Sequence, residues 1–224
     1  MSLYLAVVLA AFAGPLALSF DRKVHFYTHW KTVFIAISIV ATGFIIWDEW
    51  FTQLKVWGFT PRYLLGIYLG HLPLEEILFF FIVPYNCVFI HEVQKAYFKK
   101  IPIAENGKLF GFGFALISML VAFFFFGRFY TTGAGFVAVI LIALVLVTKQ
   151  TWFGRFWLTY LIAVIPFLIV NGILTGMFTE KPIVWYNSEH IIGWRIVTIP
   201  VEDLIYNFDM LLPIIWIHES LKRN

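Results

Sequence analysis

Two pairs of adjacent acids, Glu75-Glu76 and Glu202-Asp203, each begin two positions after a proline, Pro73 and Pro200, at the head of a strongly apolar run. One carboxylate in a first helical turn is readily explained: it lies near the positive end of the helix dipole and contributes a few tenths to about 1 kcal/mol there. The proline before it suits a position whose N–H has no helical partner. A second acid beside the first has no such explanation. Two carboxyls crowded together between apolar walls hold a proton more tightly than free ones, so one member of a pair can be a Brønsted acid near neutral pH. A strong enough local acid can protonate an alkene, and the resulting cation needs exclusion of water and π faces nearby. Phe79, Phe80, Phe81, Trp47, Trp50, Trp185, Tyr186 and Tyr206 lie on or beside the same segments. Each alone is more simply a packing or interface residue; their grouping with the acids carries the weight. Successive helical residues point about 100° apart, so within each pair one acid can face the repeat interface described below and the other a neighbouring helix. Glu75 shares its helical face with Phe79, Ile82 and Asn86, and Glu202 shares its face with Tyr206 and Asp209.

The elements that must position these acids are membrane helices. The 224 residues are 61% hydrophobic, 20% aromatic and 13% charged, with a mean hydropathy of +0.86, far from soluble proportions. Windows such as 3–20, 32–47 and 156–174 lack any charge and are long enough to span a bilayer. Seven helices are expected, at about 3–20, 32–50, 73–97, 109–126, 133–148, 156–174 and 200–221, with long connectors at 51–72 and 175–199. The first run is read as a retained helix despite the small-x-small Ala11-Phe12-Ala13, because Arg22 and Lys23 follow it rather than precede it. The lone Cys87 permits no intrachain disulfide, and a net charge of +3 spread through short loops argues against a nucleic-acid partner. Arg22, Lys23, Lys31, Lys95, Lys99, Lys100, Lys108, Lys149, Arg155, Lys222 and Arg223 fall on one side of the seven spans. Only Lys55, Arg62, Arg128, Lys181 and Arg195 fall on the other. The positive-inside rule then puts the N-terminus outside, the C-terminus in the cytoplasm and the paired acids at the outer ends of their helices, in a multi-pass protein of the cell (inner) membrane.

Sliding the sequence by 127 positions lays "GIYLGHLPLEEILFFF" from Gly66 over "GWRIVTIPVEDLIYNF" from Gly193 without a gap. Pro73 meets Pro200, Glu75 meets Glu202 and Glu76 meets Asp203; further on, Ile90-His91-Glu92 meets Ile217-His218-Glu219 and Lys95 meets Lys222. The expected fold is an all-α integral membrane protein in which two parallel three-helix repeats, 1–100 and 131–224, are joined by one extra transmembrane helix in 101–130 that restores orientation.

The doubled Pro-x-Glu-[Glu/Asp] motif, as Pro73-Leu74-Glu75-Glu76 and Pro200-Val201-Glu202-Asp203, is accompanied by "WDEW" from Trp47, "NGILTG" from Asn171, "PIVWYN" from Pro182 and "GWRIVTIPVEDLIY" from Gly193. With these segments the chain resembles, over essentially its whole length, the membrane-embedded lycopene cyclases found as two small subunits in some bacteria and as one fused chain elsewhere. The resemblance implies a non-redox cyclisation: protonation of the terminal double bond of a linear end group, attack of the neighbouring alkene on the cation, and loss of a proton to leave a β-ring. It implies Glu75, Glu76, Glu202 and Asp203 as catalytic residues, with Glu75 and Glu202 favoured as the proton-handling pair because both halves keep Glu there. It implies substrate contacts from Trp47, Asp48, Phe79, Asn171, Thr175, Trp185, Tyr186, Arg195 and Tyr206, with Arg195 holding a carboxylate ionised or anchoring the lipid interface. The partner is a linear carotenoid, lycopene, taken from the bilayer amid membrane lipid; a homo-oligomer is compatible with it.

No cofactor is expected, because Gly111-Phe112-Gly113 lacks the third glycine of a dinucleotide fingerprint. No metal is assigned either: His91-Glu92 and His218-Glu219 could meet across the repeat axis as ligands, but anchoring of two helix ends, with Lys95 and Lys222, explains them more simply. Cyclisation to ε- or γ-rings on a longer carotenoid, and a small proton-coupled transporter with breaks at Pro84, Pro166 and Pro213, are the alternatives. A retinal-binding photoreceptor is disfavoured because the last helix has no Lys before Lys222.

Overall fold

In a computed structural model that describes residues 2–222, with Met1, Arg223 and Asn224 outside the described residues, the chain is mostly helical. The helices are α1 (Leu3–Leu18), α2 (Trp30–Gln53), α3 (Leu74–Tyr97), the short α4 (Pro102–Glu105), α5 (Gly107–Phe124), α6 (Phe129–Val147), α7 (Phe153–Leu174) and α8 (Glu202–Lys222). Five helical segments, those of α2, α3, α5, α6 and α7, are long and apolar enough to cross a membrane. The other two long helices fall short of that description for evident reasons. α1 has 16 residues, and α8 carries Glu202, Asp203, Asp209, Glu219 and Lys222.

The polar residues of α3 and α8 explain the arrangement. Both helices bury acids and a histidine that lipid would reject, so the two pack against each other in the middle of the bundle. α2 and α7 each touch both of them, α1 lies on α3 and α7, and α6 lies on α8. α5 is peripheral and packs on α6 and α7, and its Phe114 also stacks on Phe208 of α8 at 4.4 Å.

Short strands shape the outer connectors. β1 (Trp57–Phe59) pairs antiparallel with β4 (Val184–Tyr186), matching Trp57 to Tyr186 and Phe59 to Val184. Gly58 in the middle has no room for a Cβ, which would run into the Trp185 indole. Two tight hairpins then lead into the central helices: β2 (Tyr68–Leu69) with β3 (Leu72–Pro73), and β5 (Arg195–Ile196) with β6 (Ile199–Pro200). Each residue of the second hairpin lies 127 positions after its counterpart in the first. The turn of the first uses Gly70 in the left-handed region (φ 63°), whereas the second puts Val197 there (φ 58°), a conformation that β-branched residues rarely adopt.

At the opposite end, the two His-Glu pairs interlock. His91 Nε2 lies 3.1 Å from Glu219 Oε1, and His218 Nε2 lies 3.0 Å from Glu92 Oε1. Lys95 Nζ donates to Glu219 Oε1 at 2.5 Å and Lys222 Nζ to Glu92 Oε2 at 2.8 Å. The other ring nitrogens meet hydroxyls, His91 Nδ1 with Thr159 at 2.7 Å and His218 Nδ1 with Thr32 at 3.0 Å. His91, Glu92 and Glu219 bring ligand-type atoms within 4.8 Å of one another, but a lysine already neutralises each glutamate, so the cluster reads as a lock between α3 and α8. Removing one partner of a buried ionic set typically costs about 3–5 kcal/mol, less where lysines keep some solvent access. Glu92→Ala is therefore expected to destabilise the protein by about 3 kcal/mol in thermal unfolding followed by circular dichroism in detergent. A loss under about 1 kcal/mol would show that solvent screens the lock.

Candidate active site

Pro73 and Pro200 end the hairpins in extended conformation, and the acids that follow enter the first turns of α3 and α8. There the adjacent carboxylates separate by task. Glu75 Oε1 accepts from the Leu65 N–H at 2.6 Å and from Ser2 Oγ at 2.6 Å. Glu202 Oε1 accepts from the Ile192 N–H at 2.5 Å and from Thr131 Oγ1 at 2.7 Å. Each first acid thus ties its helix to the backbone of the connector ten residues upstream and to a hydroxyl of a peripheral segment. Neither lines the central cavity.

The second acids do. A cavity of about 50 Å³ lies between the first turns of α3 and α8 and the C-terminal ends of α2 and α7, with Tyr4 of α1 and Tyr130 of α6 beside it, and Glu76, Asp203 and Asp48 all line it. Tyr4 donates to Glu76 Oε2 at 2.5 Å. Asp203 receives three donors: Tyr130 OH on Oδ1 at 2.7 Å, and Asn171 Nδ2 and Tyr186 OH on Oδ2 at 2.6 and 3.0 Å. Asp48 Oδ1 accepts from the Trp57 indole N–H, while its Oδ2 is buried without a partner among the described residues. The Tyr206 hydroxyl and the Asn207 amide, which also line the cavity, are buried and unpartnered in the same sense. Polar atoms in that state cost about 1–3 kcal/mol each unless something meets them; Glu75 Oε2 and Glu202 Oε2, outside the cavity lining, share it.

Aromatic rings form the remaining wall. Tyr206 meets Trp47 at 5.2 Å, Trp57 at 6.0 Å and Tyr130 at 5.7 Å, all edge to face, and Tyr130 stacks on Tyr186 at 6.0 Å. The β1–β4 pair caps the outer mouth through Trp57, Phe59, Val184 and Tyr186. Burial and the neighbouring Asp203 carboxylate push the Tyr186 phenol well above its ordinary pKa, so it stays a protonated donor.

Of the residues singled out in the sequence, Glu76, Asp203, Asp48, Phe79, Asn171, Tyr186 and Tyr206 converge on this cavity. Trp47 stands behind Tyr206. Thr175, Trp185 and Arg195 line an adjoining surface depression that shares Val184 and Tyr186 with the cavity. Arg195 donates to the Thr198 carbonyl at 2.5 Å and lies over the Tyr186 ring at 5.9 Å. It makes no ion pair with the motif acids among the described residues. Asp209, on the expected face of Glu202, is buried deeper along α8 with both oxygens unpartnered and lies outside the cavity lining. Sequence reasoning missed Tyr4, Trp57, Tyr130 and Asn207. Tyr4 and Tyr130 could have been suspected, since each opens the first apolar run of its half.

The profile described as Lycopene cyclase matches residues 1–94 and 127–221. The chain belongs to the lycopene cyclase family. Similarity to a curated protein is more limited: 29% identity over 86 residues to the bifunctional lycopene cyclase/phytoene synthase of Phaeosphaeria nodorum, covering 38% of this chain and 13% of that one. No solved structure matches. The two family segments each contain one acid pair, and the carboxylates that share the cavity come from both of them.

The division of labour within each pair is measurable. Glu75→Ala leaves the Leu65 N–H without its acceptor, and Glu202→Ala does the same to Ile192. Loss of a buried hydrogen bond at about 1–3 kcal/mol should accelerate amide hydrogen exchange at Leu65 and Ile192 by roughly tenfold or more. Unchanged exchange would show that the connectors are held by other contacts.

Proposed function

We propose that the chain is a lycopene β-cyclase of the cell membrane, and that Glu76, Asp203 and Asp48 carry the proton chemistry. The observation behind this reading is the meeting of three carboxyls, one each from α2, α3 and α8, in one small aromatic cavity lined on its outer side by the β1–β4 pair. Glu76 is assigned as the acid. Tyr4 fixes one of its oxygens, and no described donor engages the other. Its proton adds to the terminal alkene of the linear end group, the next alkene attacks the tertiary cation to close a six-membered ring, and the charge moves to a ring carbon. Asp203 is assigned as the base. A carboxylate is an acceptor only, and three converging donors suit it to that state and hold it in place.

Loss of the proton from the ring carbon bonded to the polyene gives the β-ring, whose new double bond stays in conjugation; ε- and γ-rings give up that conjugation. Tyr206, Trp57, Phe79 and Tyr186 supply π faces for the cation, each worth about 0.5–2 kcal/mol. Asp48, sharing the cavity with both acids, returns the proton to Glu76 between turnovers. Atoms and electrons balance as an isomerisation, so no oxidant, reductant or flavin is assigned.

The match of one family profile to two segments and the constant offset of the hairpins support a reading as two parallel repeats that build a single site, with α5 as the added span. On that reading all seven long helices cross the bilayer, the N-terminus lies outside, the C-terminus lies in the cytoplasm and the substrate arrives from the lipid.

The test is pigment analysis of a lycopene-accumulating bacterial host. The wild-type chain should convert lycopene to cyclic carotenes. Glu76→Gln and Asp203→Asn should each lower conversion by about 10²-fold or more, the contribution usual for a positioned acid or base, at normal membrane levels of protein. Conversion by Asp203→Asn at near the wild-type rate would sink the assignment of the base, and untouched lycopene with well-expressed wild type would sink the cyclase reading.

A further inference from the structure

The acid cavity, at about 50 Å³, has room for a water or two and none for a polyene chain. On the cyclase reading, most of the substrate must therefore lie elsewhere, along an apolar course that reaches the acids. Two grooves open on the flanks of the bundle. The larger, of about 530 Å³, runs between α2 and α6 past Gly43, Trp47, Trp50 and Phe129. It shares no lining residue with the acid cavity. Trp47 packed on Tyr206 at 5.2 Å and Phe51 packed on Trp57 at 5.0 Å wall it off.

The second groove, of about 350 Å³, lies between α1, α3 and α7, and its relation to the acids is different. Phe167 of α7 lines both this groove and the acid cavity, so one ring is the partition between them. From Val83 beside that ring the groove follows α3 to Ile90, about 10 Å at 1.5 Å per residue, away from the acid end of the bundle. Small side chains, Ala11 and Ala163, leave the space, and the lining is apolar apart from Asn86 and Cys87. The Asn86 Nδ2 donates to the Ala11 carbonyl at 3.0 Å, while its Oδ1 is buried without a partner among the described residues. The outer rim is open: Ile169 is 61% exposed.

We infer that the groove between α1, α3 and α7 is the binding site for the conjugated chain of the substrate, with the end group passing Phe167 to reach Glu76 and Asp203. The inference rests on the cyclase reading for the identity of the ligand, a long, rigid, uncharged polyene. It draws independently on the geometry for the choice of groove. A rotation of one buried ring opens this course, whereas the α2–α6 groove would require several packed aromatic pairs to part.

The experiment uses the purified full chain in lipid nanodiscs with lycopene as probe, read by the circular dichroism that a bound polyene acquires in its visible absorption and, separately, by formation of cyclic product. Ala11→Phe fills the groove at a half-buried position; Ile169→Trp fills its rim from an exposed one, where a folding defect is not expected. Gly43→Leu fills the α2–α6 groove, where an added Cβ meets nothing within 4 Å. Expected are an induced signal in the wild type and in Gly43→Leu, and at least a tenfold loss of lycopene affinity in Ala11→Phe and Ile169→Trp. Wild-type affinity in both groove variants, loss in Gly43→Leu instead, or no induced signal in the wild type would each overturn the inference. Binding with the expected pattern of variants but no cyclic product would leave the groove standing and remove the cyclase reading.

Discussion

An ionised side chain inside an apolar bundle costs several kcal/mol unless donors or counter-charges reach it, and the two central helices bury Glu75, Glu76 and Glu92 on α3 and Glu202, Asp203 and Glu219 on α8. Meeting that demand organises the surrounding elements. The segment leading into α1 gives Ser2, and α1 itself Tyr4; α6 gives Tyr130 and Thr131; α7 gives Asn171 and Thr159; α2 gives Thr32. Each helix packed against the central pair thus lends a polar group to it or to its histidines. α5, which packs outside, lends none and is held by ring contacts such as Phe114 on Phe208. At one end of the pair lysines balance the charges in a lock; at the other the carboxyls are left without cations, in a cavity lined by tyrosines and amides. The same helices thereby hold a charge-balanced lock at one end and an acid-lined cavity at the other.

Much of this was legible in the sequence, for a physical reason. Charge is so rare in the chain that each buried acid stands out, and proline followed by two acids marks a helix start whose register is nearly fixed. The seven expected runs correspond to long helices with boundaries close to those expected, five of them long and apolar enough to cross a membrane, while the crosswise meeting of His91-Glu92 with His218-Glu219 is anticipated in the sequence only as a metal site. The choice within each acid pair was not legible. A step of about 100° around a helix separates Glu75 from Glu76, but which way the helix is turned depends on what it packs against, and the connector amides of Leu65 and Ile192 that capture the first acids come from irregular segments. The local partner of Arg195 was not legible for a related reason: its hairpin turns the guanidinium back onto the Thr198 carbonyl, a contact that no periodicity announces.

Glu at both first positions, expected as the proton-handling pair, also has an architectural role, with one oxygen of each bonded and the other buried without a partner among the described residues. Both first acids perform the same task, accepting a backbone N–H from the connector and a hydroxyl from a neighbouring segment. Equal tasks demand equal residues, so the two halves agree there. The second positions differ, Glu76 against Asp203, and so do their surroundings: one described donor on Glu76, three on Asp203.

On the proposed reading as a cyclase built from two repeats, that difference is what the reaction requires, and the roles of Glu76, Asp203 and Asp48 belong to that reading. Two identical carboxyls around an axis would present equal tendencies to give and to take a proton, yet the reaction adds a proton at one carbon and removes one at another. A site assembled from two similar halves can meet this only by making the halves unlike at the reacting groups while leaving them alike where they hold the fold. The shorter Asp203, surrounded by Tyr130, Asn171 and Tyr186, is set as an acceptor. The longer Glu76, oriented by Tyr4 alone, reaches into the cavity as the donor, and Asp48 on α2 sits where it can reconnect the two. On this view the identity of the second acids, and not of the first, is where the chemistry of the chain is written.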